Sequence, residues 1–561
     1  MLKLIKTHLE DAVLYAVNKI KKTSLYVIIR TRFLPFFSLI TVLSFHGCVK
    51  DDLDFKKLEQ TNYSPELAVP LAYSSLSIED LMKNESDSGI LIIDENKFCT
   101  LVYSSQALQM RAADMISVPD QDFNQGIALN DSIATLVNQL GNITFGYSQD
   151  IDFSMIQGMQ VDSMFFKGGN MKTNFKSGIP ANITITLTIP ALTLNGNPFS
   201  QSFQLNYTSS LPVTAIITSP LEHYKLDLTN GGVTYNQLKV NYTINIATTG
   251  TSIQGSDNID IGLNFNNIRY SKLFGYFGQQ TLMSPQDTIN ISLFNTQNGF
   301  GSFKIAEPEI RVDFVNSFGF PVRARIIQMT GMNGNLTNFV VANGIPDPLP
   351  INSPNIHQIG QELTGSFTMT NSNSNVQAMI ANQPKYIISQ TQNEINPNGN
   401  TGENFVVDTS KLSVNMEVKL PLYGTADNFI LNDTVNFSVN NLQNIESLII
   451  RTSLENGFPI DTKFQVYFTD ENYSKLDSLV YGDRLLMPSA SVNPVTGKVT
   501  ASTIKSTDHT MDRGRILKIM TAKKLILQAS LTSANNGATN VKIYADYKFK
   551  VNLGAIAKVN L

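Results

Sequence analysis

The stretch Ile183-Thr184-Ile185-Thr186-Leu187-Thr188-Ile189 decides the fold class, because every odd position is apolar and every even one is threonine. Side chains alternate between the two faces of a strand, so this segment sets one face on a core and the other in water. Working outward, the same period of two returns in Leu238, Val240, Tyr242, Ile244 and Ile246. It returns again in Leu412, Val414, Met416, Val418 and Leu420, and in Val541, Ile543, Ala545, Tyr547, Phe549 and Val551. One-sided strands of this kind belong to antiparallel sheets. The chain is expected to be mainly β, with tandem antiparallel β-sandwich-like modules and a few short helices near the N-terminus. Helix starts are read at Ser64-Pro65-Glu66 and at Ser77-Ile78-Glu79-Asp80, and a third helix over Ser132 to Leu140.

A repeat is written over the strands. Gly178-Ile179-Pro180, Gly319-Phe320-Pro321 and Gly457-Phe458-Pro459 each stand between two short strands, with the prolines 141 and 138 residues apart. That spacing is domain-sized. The second and third copies share more: Leu273-Phe274-Gly275 and Leu422-Tyr423-Gly424 each precede an Asp-Thr strand, at Asp287-Thr288 and Asp433-Thr434. The Asn-rich stretch from Ser389 to Asn404 reads as a long loop between them. The boundaries that follow are a leader at 1–47, a tether at 48–64, a mixed region at 65–140, and β modules at 141–268, 269–400 and 401–561.

The amino terminus carries an export pattern. Phe33 to Phe45 is uncharged and follows Arg30 and Arg32, and it is shorter than the roughly 20 apolar residues that cross a bilayer. Met1 to Ile29 extends this leader. Gly47-Cys48 at its end resembles a lipobox, with Phe45 and His46 as departures from the usual pattern, which implies cleavage before Cys48 and acylation of it. Lys50-Asp51-Asp52 resembles the lipoprotein export signal of Bacteroidota, which implies display on the outer face of the outer membrane. Together with the repeated strands, these residues resemble uncharacterised Bacteroidota surface-exposed lipoproteins with repeated β-sandwich-like modules. That resemblance implies no active site.

Removing residues 1–47 takes away seven basic and two acidic side chains and leaves 35 Lys and Arg against 44 Asp and Glu, a net charge of −9. Nucleic acid is therefore not an expected partner. With Cys48 acylated, Cys99 is the sole thiol, and its strand parity with Leu101 and Tyr103 marks it as a buried structural residue.

Chemistry-bearing patterns are sparse. Asp120-Gln121-Asp122-Phe123-Asn124-Gln125-Gly126-Ile127, ending at Asp131, approximates a calcium loop, but its glycine is displaced by one position and its last ligand is Asp. A polar loop is the expected reading, with no metal. Only His223, His357 and His509 remain after processing, none paired at zinc spacing or set in a nucleophile elbow. Two carboxylates suffice for a glycosidase, so that class stays open, although the chain has no Trp for sugar stacking. Asp followed by Ser or Thr and an aliphatic residue resembles the O-glycosylation site of exported Bacteroidota proteins. It occurs at Ser132, Ser163, Thr288, Thr434 and Ser478.

The expectation is a noncatalytic binding or adhesion module with no cofactor, held to the outer membrane by lipid and facing a protein or extracellular ligand. An accessory subunit of an uptake or secretion complex and a polysaccharide-active enzyme are the alternatives.

Overall fold

A computed structural model describes residues 66–78, 89–156, 158–294, 302–334, 336–339, 346–402, 404–437, 445–482 and 484–559. The leader, Cys48 and Lys50-Asp51-Asp52 lie outside them. Alternation is realised as the sequence demands: Ile183, Ile185, Leu187 and Ile189 are at most 1% exposed, while the threonines between them are half-exposed. Each such burial stabilises by about 1.5–3 kcal/mol. The described chain is mainly antiparallel β structure with a few short helices.

Three eight-stranded sandwiches emerge from the pairing. In the first, the strands in chain order are Gln121–Ala128, Asn142–Asp152, Gln160–Ser177, Ala181–Leu194, Asn197–Leu205, Val213–Pro220, Gln237–Thr248 and Asn258–Tyr276. Its first, eighth, third and sixth strands pair in that order, and so do its second, seventh, fourth and fifth. The short strand Lys225–Asp227 bridges the two sets.

The middle sandwich uses Cys99–Arg111, Asp287–Asn290, Glu309–Asn316, Val322–Asn333, the pair Leu336–Phe339 and Leu349–Ile351, Leu363–Met369, Tyr386–Ile395 and Lys411–Pro421. The C-terminal one uses Glu66–Ser77, Phe429–Asn436, Ile445–Asn456, Asp461–Thr469, Lys475–Ser478 with Leu485–Met487, Thr503–Met511, Lys524–Thr532 and Lys548–Val559. Both follow the same two pairing orders. This connectivity is that of a jelly roll.

The sandwiches are nested. The whole first sandwich lies between strands one and two of the middle one, and both lie between strands one and two of the C-terminal one. Residues 65–140, read from sequence as a separate mixed region, instead supply the first strand of each, and Gly89–Ile93 adds an edge strand beside Cys99–Arg111 in the middle one. Glu66–Ser77, where a helix start is read, is a strand because it pairs along its length with the chain's last strand, Lys548–Val559. Its Pro70 sits at a break in register on this one-sided edge, where a missing N–H is tolerated. Of the second expected helix only Ser77 and Ile78 are described. The third forms at Asp131–Leu140, with the Asn130 side chain accepting from Ile133 N and Gly141 ending it in the left-handed conformation.

The turns between third and fourth strands carry each chain from one sheet of its sandwich to the other. In each, the last residue of strand three turns its side chain back on the main chain: Ser177 Oγ accepts from Ile179 N, Asn316 Oδ1 from Phe318 N and Asn456 Oδ1 from Phe458 N, all at 3.0 Å. Ser177, Asn316 and Asn456 are thus equivalent, and Gly457-Phe458 corresponds to Ser317-Phe318. Gly319-Phe320 is a two-residue insertion before Pro321, so the middle Gly-Phe is offset from its neighbours. Its purpose is a joint. A Cβ on Gly319 would meet the Phe405 ring at 2.2 Å, and Phe320 stacks on Phe318 and reaches Phe277 at the end of the first sandwich. A three-stranded sheet of Ser302–Ile305, Tyr423–Asp427 and Val541–Lys542 joins the middle and C-terminal sandwiches.

The Asp of each Asp-Thr pair ties first strand to second. Asp433 accepts from Ser74 Oγ at 2.5 Å, and Asp287 accepts from Ser105 Oγ. Inside the C-terminal sandwich, Arg515 of the helix Arg513–Ile519 meets Asp477, whose side chain is 2% exposed, at 2.9 Å. Arg515 also donates to the carbonyls of Ser478 and Leu479, and Tyr481 donates to the other Asp477 oxygen at 2.8 Å.

A cavity between the sheets of the middle sandwich

Strand seven runs down the centre of the second sheet in every sandwich, and its inward residues decide how the core fills. In the first sandwich they are Leu238, Val240, Tyr242, Ile244 and Ile246, and in the C-terminal one Leu525, Leu527, Ala529 and Leu531, all buried. In the middle sandwich the inward run is Ile387, Ser389, Thr391, Asn393 and Ile395, so three short polar side chains stand where its neighbours carry mostly bulk. The register adds to the gap. Asn393 pairs with Ala324, whereas in the C-terminal sandwich Ala529 pairs with Phe464, whose ring lies 5.8 Å from that of Phe549 on the facing sheet. The first sandwich fills the same interior with Phe175 against Phe203 at 4.5 Å.

The result is a cavity of about 290 Å³ between the two sheets of the middle sandwich. One wall is Ala324, Ile326, Met329, Ser389, Thr391 and Asn393; the other is Val312, Phe314, Phe367, Met369, Val414 and Met416. Ala107, Pro346, Asp347, Leu349 and Ile351 also line it, and Asp347 pairs with Arg325 at 3.2 Å. The Asn393 Nδ2 donates to Thr391 Oγ1 at 3.2 Å, while its Oδ1 is buried without a hydrogen-bond partner. A buried acceptor left unpaired costs about 1–3 kcal/mol. Chemically, the cavity can take an apolar group. It holds no nucleophile paired with a base.

The residues singled out in the sequence lie elsewhere. Gln121–Ala128 is a strand paired with Asn258–Phe265 rather than a loop, so its alternate side chains face opposite ways and do not encircle a cation. Asp122 accepts instead from Asn264, and Asp120 from Asn267 N at 2.7 Å. Among the described residues no group of three or more His, Cys, Asp or Glu is placed to hold a metal ion. His223, His357 and His509 fall in different sandwiches. His509 bonds Thr452 Oγ1 at 3.2 Å, and burial pulls its pKa below the ordinary value. Cys99 is fully buried. Of the candidate glycosylation residues, Ser132, Thr288 and Thr434 are exposed and Ser163 is half-buried. Ser478 is buried and donates to Val480 O, so the folded chain has no room for a glycan there.

The cavity is not visible while Ser389 to Asn404 reads as a loop. Strand Tyr386–Ile395 covers its first half. The signal that identifies it is parity: Ile387 and Ile395 bracket Ser389, Thr391 and Asn393 on one face.

No protein-family model matches the chain, nor does any curated protein. Among solved structures, one of a protein described as secreted, from Parabacteroides distasonis, is similar at 10% identity and a TM-score of 0.27, over 88% of this chain and 99% of that one. The Sulfolobus Turreted Icosahedral Virus structure is 10% identical with a TM-score of 0.11, over 80% of this chain and 93% of that one. The VP2 subviral particle of infectious bursal disease virus is 8% identical with a TM-score of 0.11, over 86% of each chain. None of these likenesses bears on function. No helix among the described residues is long and apolar enough to cross a membrane, which says nothing of crossing with strands.

Proposed function

We propose that this chain is a noncatalytic binding protein of the cell exterior, lipid-anchored through Cys48 and addressed to the outer-membrane surface by Lys50, Asp51 and Asp52. Its middle sandwich takes up an apolar ligand. The cavity carries this reading. Its volume approaches the lower end of small-molecule sites, its walls are mostly apolar, and few polar groups converge on it. Two similarly connected sandwiches flank it with filled interiors, so the vacancy comes from particular residues rather than from the fold.

N-phenyl-1-naphthylamine, a neutral dye that brightens in apolar surroundings, tests it. The chain is expected to bind the dye saturably, and Ala324→Phe or Val414→Phe, which push a ring into the space, to weaken binding at least tenfold. Dye fluorescence indifferent to both substitutions removes the reading. The anchor is tested separately: Cys48→Ser is expected to abolish labelling by a palmitate analogue and release the protein from the membrane fraction. A labelled, membrane-bound variant overturns the assignment.

A further inference from the structure

The middle sandwich has a sheet edge that is both open and apolar. In the first and C-terminal sandwiches the sheet holding strand one ends on that strand, and each such edge is blunted: Gln121–Ala128 exposes Asp122 and Asn124, and Glu66–Ser77 carries Pro70 at its break in register. In the middle one Gly89–Ile93 lies outside strand one, paired with Cys99–Arg111 and with no other described strand. Leu91 packs on the core, so Ile90 and Ile92 stand on the outer face, 64% and 49% exposed, and Ile93 at the strand's end is 41% exposed. The strand has no charge, proline or bulge to blunt it.

Register shows what this edge lacks. Cys99 N donates to Ile543 O at 3.2 Å and Cys99 O accepts from Leu422 N at 2.9 Å, so both Cys99 backbone groups point away from Ile93. Bonded and non-bonded pairs alternate along an antiparallel ladder, which makes Ile92–Thr100 and Ile90–Val102 the bonded pairs and turns the N–H and C=O of Gly89, Leu91 and Ile93 to the open side. We propose that this edge is an interface between two copies of the chain, with Gly89–Ile93 pairing antiparallel with itself about a two-fold axis at Leu91. In that register Leu91 meets Leu91, and Gly89 meets Ile93 on either side, with two bonds to each pair, so every backbone group turned to the open side gains a partner. Ile90 of each copy stands opposite Ile92 of the other, and the exposed isoleucines cover one another. A register one residue away opposes positions that turn in opposite directions, and a longer shift leaves Gly89 or Ile93 outside the pairing, so the strand selects its own register. Self-pairing needs no other sequence to match. A single strand pair of 5 residues a side is small beside the roughly 1,200–2,000 Å² of a standard interface, so the association is reversible and depends on concentration.

Sedimentation equilibrium of the full chain carrying Cys48→Ser, so that no detergent is needed to keep it in solution, reads the outcome. Mean mass is expected to rise from one chain toward two as loading increases. Ile90→Lys with Ile92→Lys, and Ile90→Glu with Ile92→Glu, change exposed side chains and should each weaken self-association at least tenfold, because like charges then stand directly opposite. Mixed in equal amounts, the two variants should associate within about threefold of the unsubstituted chain, since every Lys then faces a Glu. Ile216→Lys, which changes an exposed isoleucine on the edge strand Val213–Pro220 of the first sandwich, should leave association unaltered. A chain that stays monomeric at every loading overturns the proposal. So does a lysine pair that associates like the unsubstituted chain, an equal loss from Ile216→Lys, or a Lys and Glu mixture that remains monomeric.

Discussion

Deleting Glu66–Ser77 is expected to unfold the C-terminal sandwich, whose other strands all lie more than 350 residues away in sequence, and to leave the first sandwich folded. The deleted strand ladders with Lys548–Val559 from Glu66↔Lys558 to Ser77↔Lys548. It also buries Leu76 and packs Leu71 on the core. Two such leucines are worth about 1.5–3 kcal/mol each, and each ladder hydrogen bond about 0.5–1.5 kcal/mol. Their sum rivals the 5–15 kcal/mol that typically separates a folded domain from its unfolded chain. Amide hydrogen exchange reads the outcome directly. Protection should fall at least a hundredfold in Ile445–Asn456 and Lys548–Val559 and stay within a few-fold in Gln237–Thr248. Unchanged protection in the first two segments would show that the C-terminal sandwich does not depend on its distant strand.

Arg515→Ala should destabilise the C-terminal sandwich by about 3–5 kcal/mol, because it leaves the Asp477 carboxylate buried without its cation. Tyr481→Phe removes only one hydrogen bond to the same carboxylate and should cost about 0.5–1.5 kcal/mol. The double substitution Arg515→Met with Asp477→Leu replaces the pair by apolar groups and should recover most of the loss. Urea unfolding, followed by protection of Lys524–Thr532, measures all three. A loss below about 1 kcal/mol for Arg515→Ala would place this pair with ordinary surface ion pairs.

The strands were legible because their cores are one-sided. Ile183–Ile189, Leu238–Ile246 and Leu412–Leu420 could be read from period alone, and Gly-x-Pro marked a turn after the third strand of each sandwich, whereas the polar residues Ser177, Asn316 and Asn456 that fix the turns were not read. Two things were not legible. Pairing between residues hundreds of positions apart leaves no local trace, so Glu66–Ser77 showed only a capping pattern and its helix was the local reading. The cavity was hidden for a different reason: a strand that lines an empty space has no need of apolar side chains, so Ser389, Thr391 and Asn393 erased the period that marks a strand. The Asp-Thr pairs were legible as pattern, but their role in holding Ser105 and Ser74 was not.

Nesting also sets an order of events in time. Bringing Glu66 to Lys558 in an unstructured chain closes a loop of nearly the whole protein, at an entropic cost of roughly 5–6 kcal/mol. Once the first and then the middle sandwich have formed, Leu101 is held beside Leu420 and the loop left to close is much shorter, which removes about 1 kcal/mol of that cost. Assembly therefore favours a course from the innermost unit outward, with the C-terminal sandwich completed once Lys548–Val559 is present. A chain cut short before Lys548 lacks the strand that Glu66–Ser77 needs, and so leaves that segment without its ladder partner. Loss of Lys548–Val559 is thus registered at the far end of the described chain, where Glu66–Ser77 is left open to proteolysis.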